Sequence, residues 1–109
     1  MTSKYKIIYT PEAQDDLNQI IENILGIAWL RSAEKWALKI TNKIESVSVF
    51  PEGNPTYEYD QKYRTIRVGK YRVIYEIYKK ERIIAILRIM YARRNLANII
   101  LKPKILVSI

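Results

Sequence analysis

The chain has 109 residues and a formal net charge of +8, and 49% of its residues are hydrophobic and 28% charged. These values are typical of one small globular domain, and the lack of cysteine and histidine excludes disulfides and the commonest metal ligands, so we expect no metal and no cofactor. No apolar run approaches the ~18 residues of a membrane span, and the N-terminus lacks the apolar middle of a signal peptide, so we expect a cytoplasmic protein without membrane contact.

The N-terminal half of the sequence predicts one strand followed by two helices. Residues 4–10 alternate and are rich in aromatic and β-branched side chains, as a strand is, and Thr10 before Pro11 is the predicted N-cap of the first helix. The second helix is predicted to begin near Ser32 as its N-cap and to end at residues 50–51. Both helices carry apolar residues at spacings of three and four, which are Ala13, Leu17, Ile20, Ile21, Ile24 and Ala28 in the first and Ala33, Trp36, Ala37, Ile40, Ile44 and Val47 in the second. We expect the two helices to lie antiparallel.

The C-terminal half predicts three strands joined by tight turns. The stretch FPEGNPTYEYDQK, residues 50–62, contains two of the four prolines and is predicted to be a loop. The predicted strands that follow are residues 63–68, 71–77 and 82–90. Consecutive hairpins of this kind form an antiparallel meander.

The order β-α-α-β-β-β predicts an α+β domain over residues 1–101. We expect an antiparallel sheet, made of the N-terminal strand and the C-terminal β-meander, with the helical hairpin packed on one face and the other face partly open. Residues 95–101 are compatible with one or two helical turns. Residues 102–109 form an apolar C-terminal tail, for which packing on the domain, pairing with another chain and disorder stay open.

Positive charge is concentrated in one part of the sequence. Residues 1–60 contain six Lys and Arg against nine Asp and Glu, whereas residues 61–94 contain eleven against two. A small domain with this segregation presents a positive field over part of its surface, which attracts nucleic acid or an acidic protein. Ordinary solubilising charge is the alternative interpretation.

The candidate binding residues are the arginines and one tyrosine of the predicted strands and of the exit from the last strand, namely Arg64, Arg67, Arg72, Tyr91, Arg93 and Arg94. Guanidinium groups and a tyrosine ring suit phosphate contact and stacking on bases, and they equally suit an acidic helix across the sheet. Arg72 and Arg88 emerge from largely apolar strands, so each either pairs with a carboxylate or faces an external anion. Glu76 is the candidate carboxylate for Arg72.

The whole chain resembles the ParE/RelE toxins of bacterial type II toxin–antitoxin modules over about residues 4–100. The resemblance is carried by PEAQDDLNQI in the first predicted helix, FPEGNP after the second, RVGKYRVIYEI as the central hairpin and ILRIMYARRNL at the end of the last strand. It implies a RelE/ParE-like fold and a small toxin that is neutralised by a cognate antitoxin. The antitoxin is then expected to wrap the sheet and helices with an acidic, amphipathic C-terminal segment.

The two branches of this family differ in their targets. RelE-like members cut mRNA in the ribosomal A site with basic residues, often with tyrosine or histidine, and likeness to them implies Arg72 and Tyr91 as catalytic residues. ParE-like members poison DNA gyrase and are not nucleases. The ILRIMYARRNL exit and the long helical hairpin resemble ParE, and Asn98 stands near the position of the terminal tyrosine of RelE-like members.

Three hypotheses follow from the sequence and the resemblance. The first is a non-enzymatic ParE-like toxin that binds gyrase, the second is a ribosome-dependent mRNA endoribonuclease like RelE, and the third is a basic binding module without toxicity. We favour the first, while enzymatic activity stays open. In each case we expect the candidate residues to share one accessible basic surface that binds the antitoxin or the target.

Overall fold

Two helices pack on one face of a five-stranded sheet in the computed structural model, which describes residues 4–27 and 29–93. The elements in chain order are β1 (Lys6–Tyr9), α1 (Pro11–Ile27), α2 (Leu30–Ser46), a short 3-10 helix (Pro51–Gly53), β2 (Thr56–Tyr57), β3 (Asp60–Val68), β4 (Tyr71–Tyr78) and β5 (Ile83–Tyr91). The predicted order is confirmed, and β2 is an additional short strand within the predicted loop. The predicted helical turns at residues 95–101 and the tail at residues 102–109 lie outside the described residues.

The sheet is mixed, with the strand order β1-β5-β4-β3-β2. Strands β2 to β5 pair in antiparallel fashion as the predicted meander requires, but β1 lies parallel to β5, with Lys6 opposite Ile83. A parallel pair needs a long connection between its strands, which here consists of the two helices and the three intervening strands. The long connection therefore places the N-terminal strand beside the last one, so that β5 lies inside the sheet between β1 and β4.

The second helix begins three residues before the predicted start, since its N-cap is Trp29 and not Ser32. Trp29, in an extended conformation, precedes the first helical residue, and its carbonyl oxygen accepts hydrogen bonds from the backbone N–H groups of Ser32 and Ala33 at 2.9 and 3.2 Å. The prediction of Ser32 as the N-cap is therefore wrong, because a main-chain carbonyl starts this helix without a side-chain cap. The helix also ends at Ser46, earlier than predicted, since Val47 and Ser48 form a turn onto its last carbonyls.

Each face of the sheet carries its own buried cluster. The cluster between helices and sheet contains most of the predicted apolar stripes, with Ile21 and Trp36 only partly buried against it, while Ala37 is not part of it and Ala28 lies outside the described residues. Together with one side of the strands, its buried members are Ala13, Leu17, Ile20, Ile24, Ala33, Ile40, Ile44, Val47, Ile66, Val68, Tyr71, Val73, Tyr75, Ile84, Ile86 and Ile89. The opposite face, which we call the open face, carries a smaller cluster of Tyr57, Tyr63, Ile74, Ala85, Leu87 and Met90. Alternation along the strands produces this division, because successive side chains point to opposite faces.

The tip of the helical hairpin carries exposed apolar side chains. Ile27 at the end of α1 is 86% exposed, Trp29 is 84% exposed, Leu30 is also largely exposed, and Leu25 is somewhat less than half exposed. Neither helix of the described residues is long and apolar enough to cross a membrane.

Thr10 joins the first helix to the centre of the sheet. Its hydroxyl oxygen accepts a hydrogen bond from the backbone N–H of Ala13 at 3.0 Å, which caps α1 as predicted, and the hydroxyl donates to the carbonyl of Leu87 at 3.1 Å. The backbone N–H of Thr10 donates to the carbonyl of Ile86 at 3.0 Å. Since Thr10 is buried, these bonds are shielded from water and fix where α1 leaves the sheet.

We expect Thr10→Val to destabilise the fold by about 1–2 kcal/mol, because the variant keeps the shape but removes both the helix cap and the partner of the Leu87 carbonyl. Thr10→Ser is the matched control, since it keeps the hydroxyl and loses only a methyl group. Thermal unfolding of the two variants measures the difference, and equal midpoints for Val and Ser would contradict the role assigned to the hydroxyl.

Candidate functional site

Arg72 lies on the open face and is paired with a carboxylate of its own chain. Its guanidinium binds both oxygens of Glu58, with Nη1 at 3.1 Å from Oε2 and Nη2 bonded to Oε1. Its Nε is 3.4 Å from the Thr65 hydroxyl, and its Cζ lies 5.6 Å from the centre of the Tyr57 ring. The predicted partner, Glu76, is wrong for this arginine, because Glu76 instead accepts a hydrogen bond from the Tyr78 hydroxyl at 3.1 Å.

The pair with Arg72 stabilises the charged form of Glu58. Hydrogen bonding to the guanidinium is the main cause of a Glu58 pKa below the ordinary glutamate value. The side chain of Glu58 is 52% exposed, whereas that of Arg72 is 18% exposed, so water screens the carboxylate more than the cation. The pair therefore holds Arg72 in one geometry while contributing at most ~1 kcal/mol to stability.

Tyr91 lies on the other side of the sheet from Arg72. In the β4–β5 register Tyr91 is opposite Tyr71, whereas Arg72 is opposite Met90 of the open-face cluster. The Tyr71 and Tyr91 rings are 5.2 Å apart, and Tyr71 belongs to the cluster between helices and sheet. The two residues that likeness to RelE would make catalytic are therefore not brought together.

The surroundings of Tyr91 form an aromatic and basic corner beside the second helix. Tyr71 contacts the Trp36 ring edge to face at 5.5 Å, and the Lys70 ammonium lies 5.7 and 5.6 Å from the centres of the Tyr71 and Tyr91 rings. Burial, with a smaller effect of Tyr91, raises the pKa of Tyr71 to about 12. The Tyr71 hydroxyl is therefore protonated near neutral pH and cannot act there as a general base.

The other candidate residues are dispersed. Arg64 donates from Nη1 to the Asn54 carbonyl at 2.6 Å. The Tyr75 hydroxyl donates to the Pro51 carbonyl of the same loop at 2.6 Å, so both side chains hold this loop. Arg67 is exposed at the end of β3 and donates from Nε to the Gly69 carbonyl at 3.0 Å, and Arg93 is exposed after β5. Arg94 lies outside the described residues.

Arg88 is also paired within the chain, as one of the two interpretations of its position predicts. The β4–β5 register shifts so that Ile74 is opposite Arg88 and Tyr75 opposite Ile86, which is a β-bulge. Next to the bulge the guanidinium reaches Asp16 on α1, with Nε and Nη2 at 2.7 and 3.0 Å from its two oxygens. This pair raises the pKa of Arg88, chiefly through the hydrogen bond to Asp16.

The expectation of one shared arginine surface on the meander is therefore wrong. Arg72 and Arg88 are neutralised by Glu58 and Asp16, respectively. Arg64 is hydrogen-bonded to a carbonyl of a loop. The reason is that both carboxylates come from distant parts of the chain, where a local sequence pattern does not reveal them. A row of exposed cations on α2, which the sequence analysis did not single out, is instead free of ion pairs within the described residues, and it comprises Arg31, Lys35, Lys39 and Lys43.

Among residues 4–27 and 29–93 no three acidic side chains are grouped closely enough to hold a metal ion. The groups that could meet an anion are guanidinium and ammonium groups, which act by charge and hydrogen bonding.

Sequence and structure comparisons identify the family. The sequence model of the family described as the ParE toxin of the type II toxin–antitoxin system, parDE, matches residues 7–96. Because this match covers most of the chain, the protein belongs to the ParE toxin family. No curated protein sequence matches the chain significantly.

Solved structures of toxin–antitoxin systems share the fold. The chromosomal ParDE system from P. aeruginosa has a TM-score of 0.71 at 17% identity, with 81% of this chain and 96% of that chain covered. The RelBE2 complex from Mycobacterium tuberculosis has a TM-score of 0.56 at 21% identity, with 82% and 99% covered. The intact E. coli RelBE complex has a TM-score of 0.57 at 15% identity, with 83% and 99% covered. At these identities the likeness establishes the fold, which agrees with the predicted one.

We expect the carboxyl group of Glu58 to titrate below the usual glutamate range, and to return to that range in Arg72→Met, because the guanidinium is the main cause of the shift. The stabilisation from this pair is present above the unfolded glutamate pKa and is lost as pH falls through the lowered folded value. Carboxyl-carbon NMR titration measures both variants.

Glu52 provides an internal control for this titration. A hydrogen bond from Lys79 is the main cause of its own lowered pKa, so the Glu52 value is expected to stay unchanged in Arg72→Met. An ordinary Glu58 pKa in the unmodified protein, or an equal change at both glutamates, would rule out a specific Glu58–Arg72 pair.

Proposed function

We propose that the protein is a ParE-like toxin that inhibits DNA gyrase by binding it, and that it does not itself catalyse RNA cleavage. The observation that carries this proposal is the placement of Arg72 and Tyr91 on opposite faces of the sheet, with Arg72 held by Glu58. Membership of the ParE family supports the same target.

The chemistry of RNA cleavage explains why the separation of these two residues supports the proposal. Stabilisation of a developing phosphorane needs cations that are aimed at the reacting phosphate before the reaction begins. In this chain Arg72 makes a bidentate pair with Glu58, Arg88 makes one with Asp16, and Tyr91 faces the helix side. Cleavage at Arg72 would therefore require a second catalytic residue from elsewhere, because Tyr91 lies on the other side of the sheet.

The exposed tip of the helical hairpin supports a protein target. Large exposed apolar side chains such as Ile27 and Trp29 are typical of surfaces that bind other proteins. A target that is a large cytoplasmic enzyme also agrees with the expected cytoplasmic location.

A cognate antitoxin with an acidic, amphipathic C-terminal segment is the second part of the proposal. The net charge of +8 supports an acidic partner, and the exposed Tyr91 ring near Lys70 supplies apolar contact area for an amphipathic one. Such a partner would offset part of the net positive charge of the chain.

Parallel assays of gyrase and of the ribosome test the proposed target, with Arg72→Ala as the diagnostic variant. We expect the purified protein to inhibit supercoiling by gyrase and to leave ribosome-bound mRNA intact. Arg72→Ala is expected to change gyrase inhibition by less than about threefold, because the side chain is engaged within the chain and is not the source of catalysis.

The opposite pattern would overturn the proposal. Codon-register cleavage of mRNA that disappears in Arg72→Ala, together with unaffected gyrase, would assign the protein to the ribosome-dependent endoribonucleases. Lack of any effect on gyrase, on mRNA and on the growth of expressing cells would favour a binding module without toxicity.

We expect the product of the adjacent small gene to form a tight complex with this chain and to lose affinity as salt rises, by about tenfold or more between 0.1 and 0.5 M, because screening weakens attraction between opposite charges. Titration calorimetry measures this dependence. An antitoxin whose acidic residues are replaced by their amides is the control, and salt-independent binding by the unmodified antitoxin would argue against charge complementarity.

A further inference from the structure

A row of cations runs along the exposed side of α2. Arg31, Lys35, Lys39 and Lys43 follow one another at every fourth residue, which places them on one side of a helix over ~18 Å of its length. All four are exposed, and none makes an ion pair within the described residues. The row therefore presents positive charge to the solvent, and Glu34 lies near its first two members, Arg31 and Lys35.

The acidic residues of α2 lie away from the inner part of this row. Glu34 and Glu45 are the acidic residues of the helix, and at ~100° per residue both fall ~120° or more from Lys39 around the helix axis. One flank of α2 thus carries all four basic side chains of the helix, and the two glutamates lie outside the inner part of that flank. The basic flank is the one that faces the β3–β4 turn.

The row continues onto the sheet through a groove of about 560 Å³ between α2 and the end of β3. Its lining consists of Lys39, Asn42, Lys43, Ser46, Arg67, Val68 and Gly69, which within the described chain includes cations and neutral donors but no carboxylate. Lys70 follows at the turn and lies beside the Tyr91 ring. We call Lys39, Lys43, Arg67 and Lys70, together with Arg31 and Lys35, the basic band.

The geometry of the basic band is fixed by close packing between the turn and the helix. Gly69 has a φ of +59°, and a Cβ at this position would lie 2.6 Å from the Trp36 ring. The turn therefore packs directly on Trp36, and the Lys39 ammonium lies 4.7 Å from the centre of the same ring. The helical and the hairpin cations are thus held side by side by the fold.

We propose that the basic band binds the phosphate backbone of duplex DNA. A duplex presents about one negative charge per 1.7 Å of its axis, so an ~18 Å row of cations meets several phosphates at once. Asparagine and serine side chains are common additional donors to phosphate. This inference rests on the proposed gyrase target only for the choice of DNA rather than another duplex. The residues of the basic band are defined independently of that target.

The composition of the band favours DNA over an acidic protein. Lysine is depleted from the buried cores of protein–protein interfaces, whereas protein–DNA interfaces are strongly positive and polar. Four of the six cations in the band are lysines, and Val68 is the apolar side chain of the groove lining. The groove between α2 and the end of β3 therefore offers a protein partner few apolar anchors.

Fluorescence anisotropy with a labelled 20-base-pair duplex tests the proposal on the full chain. The band variant combines Lys39→Gln, Lys43→Gln and Arg67→Gln, and the control variant combines Lys4→Gln, Lys6→Gln and Lys80→Gln, which are exposed positions outside the band. The two variants have the same net charge. Thermal unfolding establishes that both variants are folded, which we expect because substitutions at exposed positions change stability little.

We expect the unmodified protein to bind DNA with an affinity that falls steeply with salt. The band variant should bind at least about tenfold more weakly, and the slope of log affinity against log salt should decrease by about 2–3, since about 0.9 counterions are released per phosphate contact. The control variant should stay within about threefold of the unmodified protein.

Three results would overturn the proposal. These are no DNA binding at low salt, equal weakening in both variants, and preference for polyglutamate over duplex DNA at equal salt, the last of which would assign the band to an acidic protein. Supercoiling assays on the same variants separate this inference from the proposed target. Loss of DNA binding in the band variant upholds the inference even where gyrase is unaffected by the unmodified protein.

Discussion

One carboxylate, that of Asp16, fixes the relation between the helices and the sheet. It accepts two hydrogen bonds from Arg88 and a third from the backbone N–H of Ile89 at 2.9 Å, just beyond the bulge in β5. Both Asp16 and Arg88 have side chains that are 17% exposed, so removal of either would leave a poorly solvated charge. Because β5 lies inside the sheet, this anchor fixes α1 over the sheet, and α2 packs beside α1 and against β3.

The position of α2 in turn decides which cations are available to partners. Where arginines emerge from the interior strands, the chain supplies Asp16 and Glu58 as partners, because a partly buried guanidinium without a carboxylate is costly. On α2 and the β3–β4 turn the cations extend into water, where an unpaired charge costs little. Positive charge that looks continuous along the sequence is therefore divided into a neutralised part and an available part.

The parts of the fold that depend on local patterns could be predicted from the sequence. Alternation predicted β3, β4 and β5, spacings of three and four predicted the buried side chains of both helices, and Thr10 was recognised as a cap. The parallel placement of β1 and the start of α2 at a main-chain carbonyl were not predicted, since neither has a side-chain signature.

The candidate site was harder to predict for the same reason. Arg72 and Glu58 are 14 residues apart and meet only because β2 turns back along β3. Arg88 and Asp16 are 72 residues apart. Counts of charged residues ignore such pairs, so they predicted the basic surface on the meander. The row of cations at every fourth residue of α2 is, by contrast, visible in the sequence as a helical pattern.

The two kinds of cation imply two kinds of encounter with a negatively charged partner. A partner that binds Arg72 at the open face must replace Glu58 with a carboxylate of its own. Since Glu58 is half exposed, this replacement costs little, and the guanidinium is paired both before and after it. A partner at the basic band displaces only counterions and water, so its binding gains from their release and depends strongly on salt. The surface of α2 is therefore expected to dominate long-range attraction, while Arg72 can contribute specificity only after contact is made.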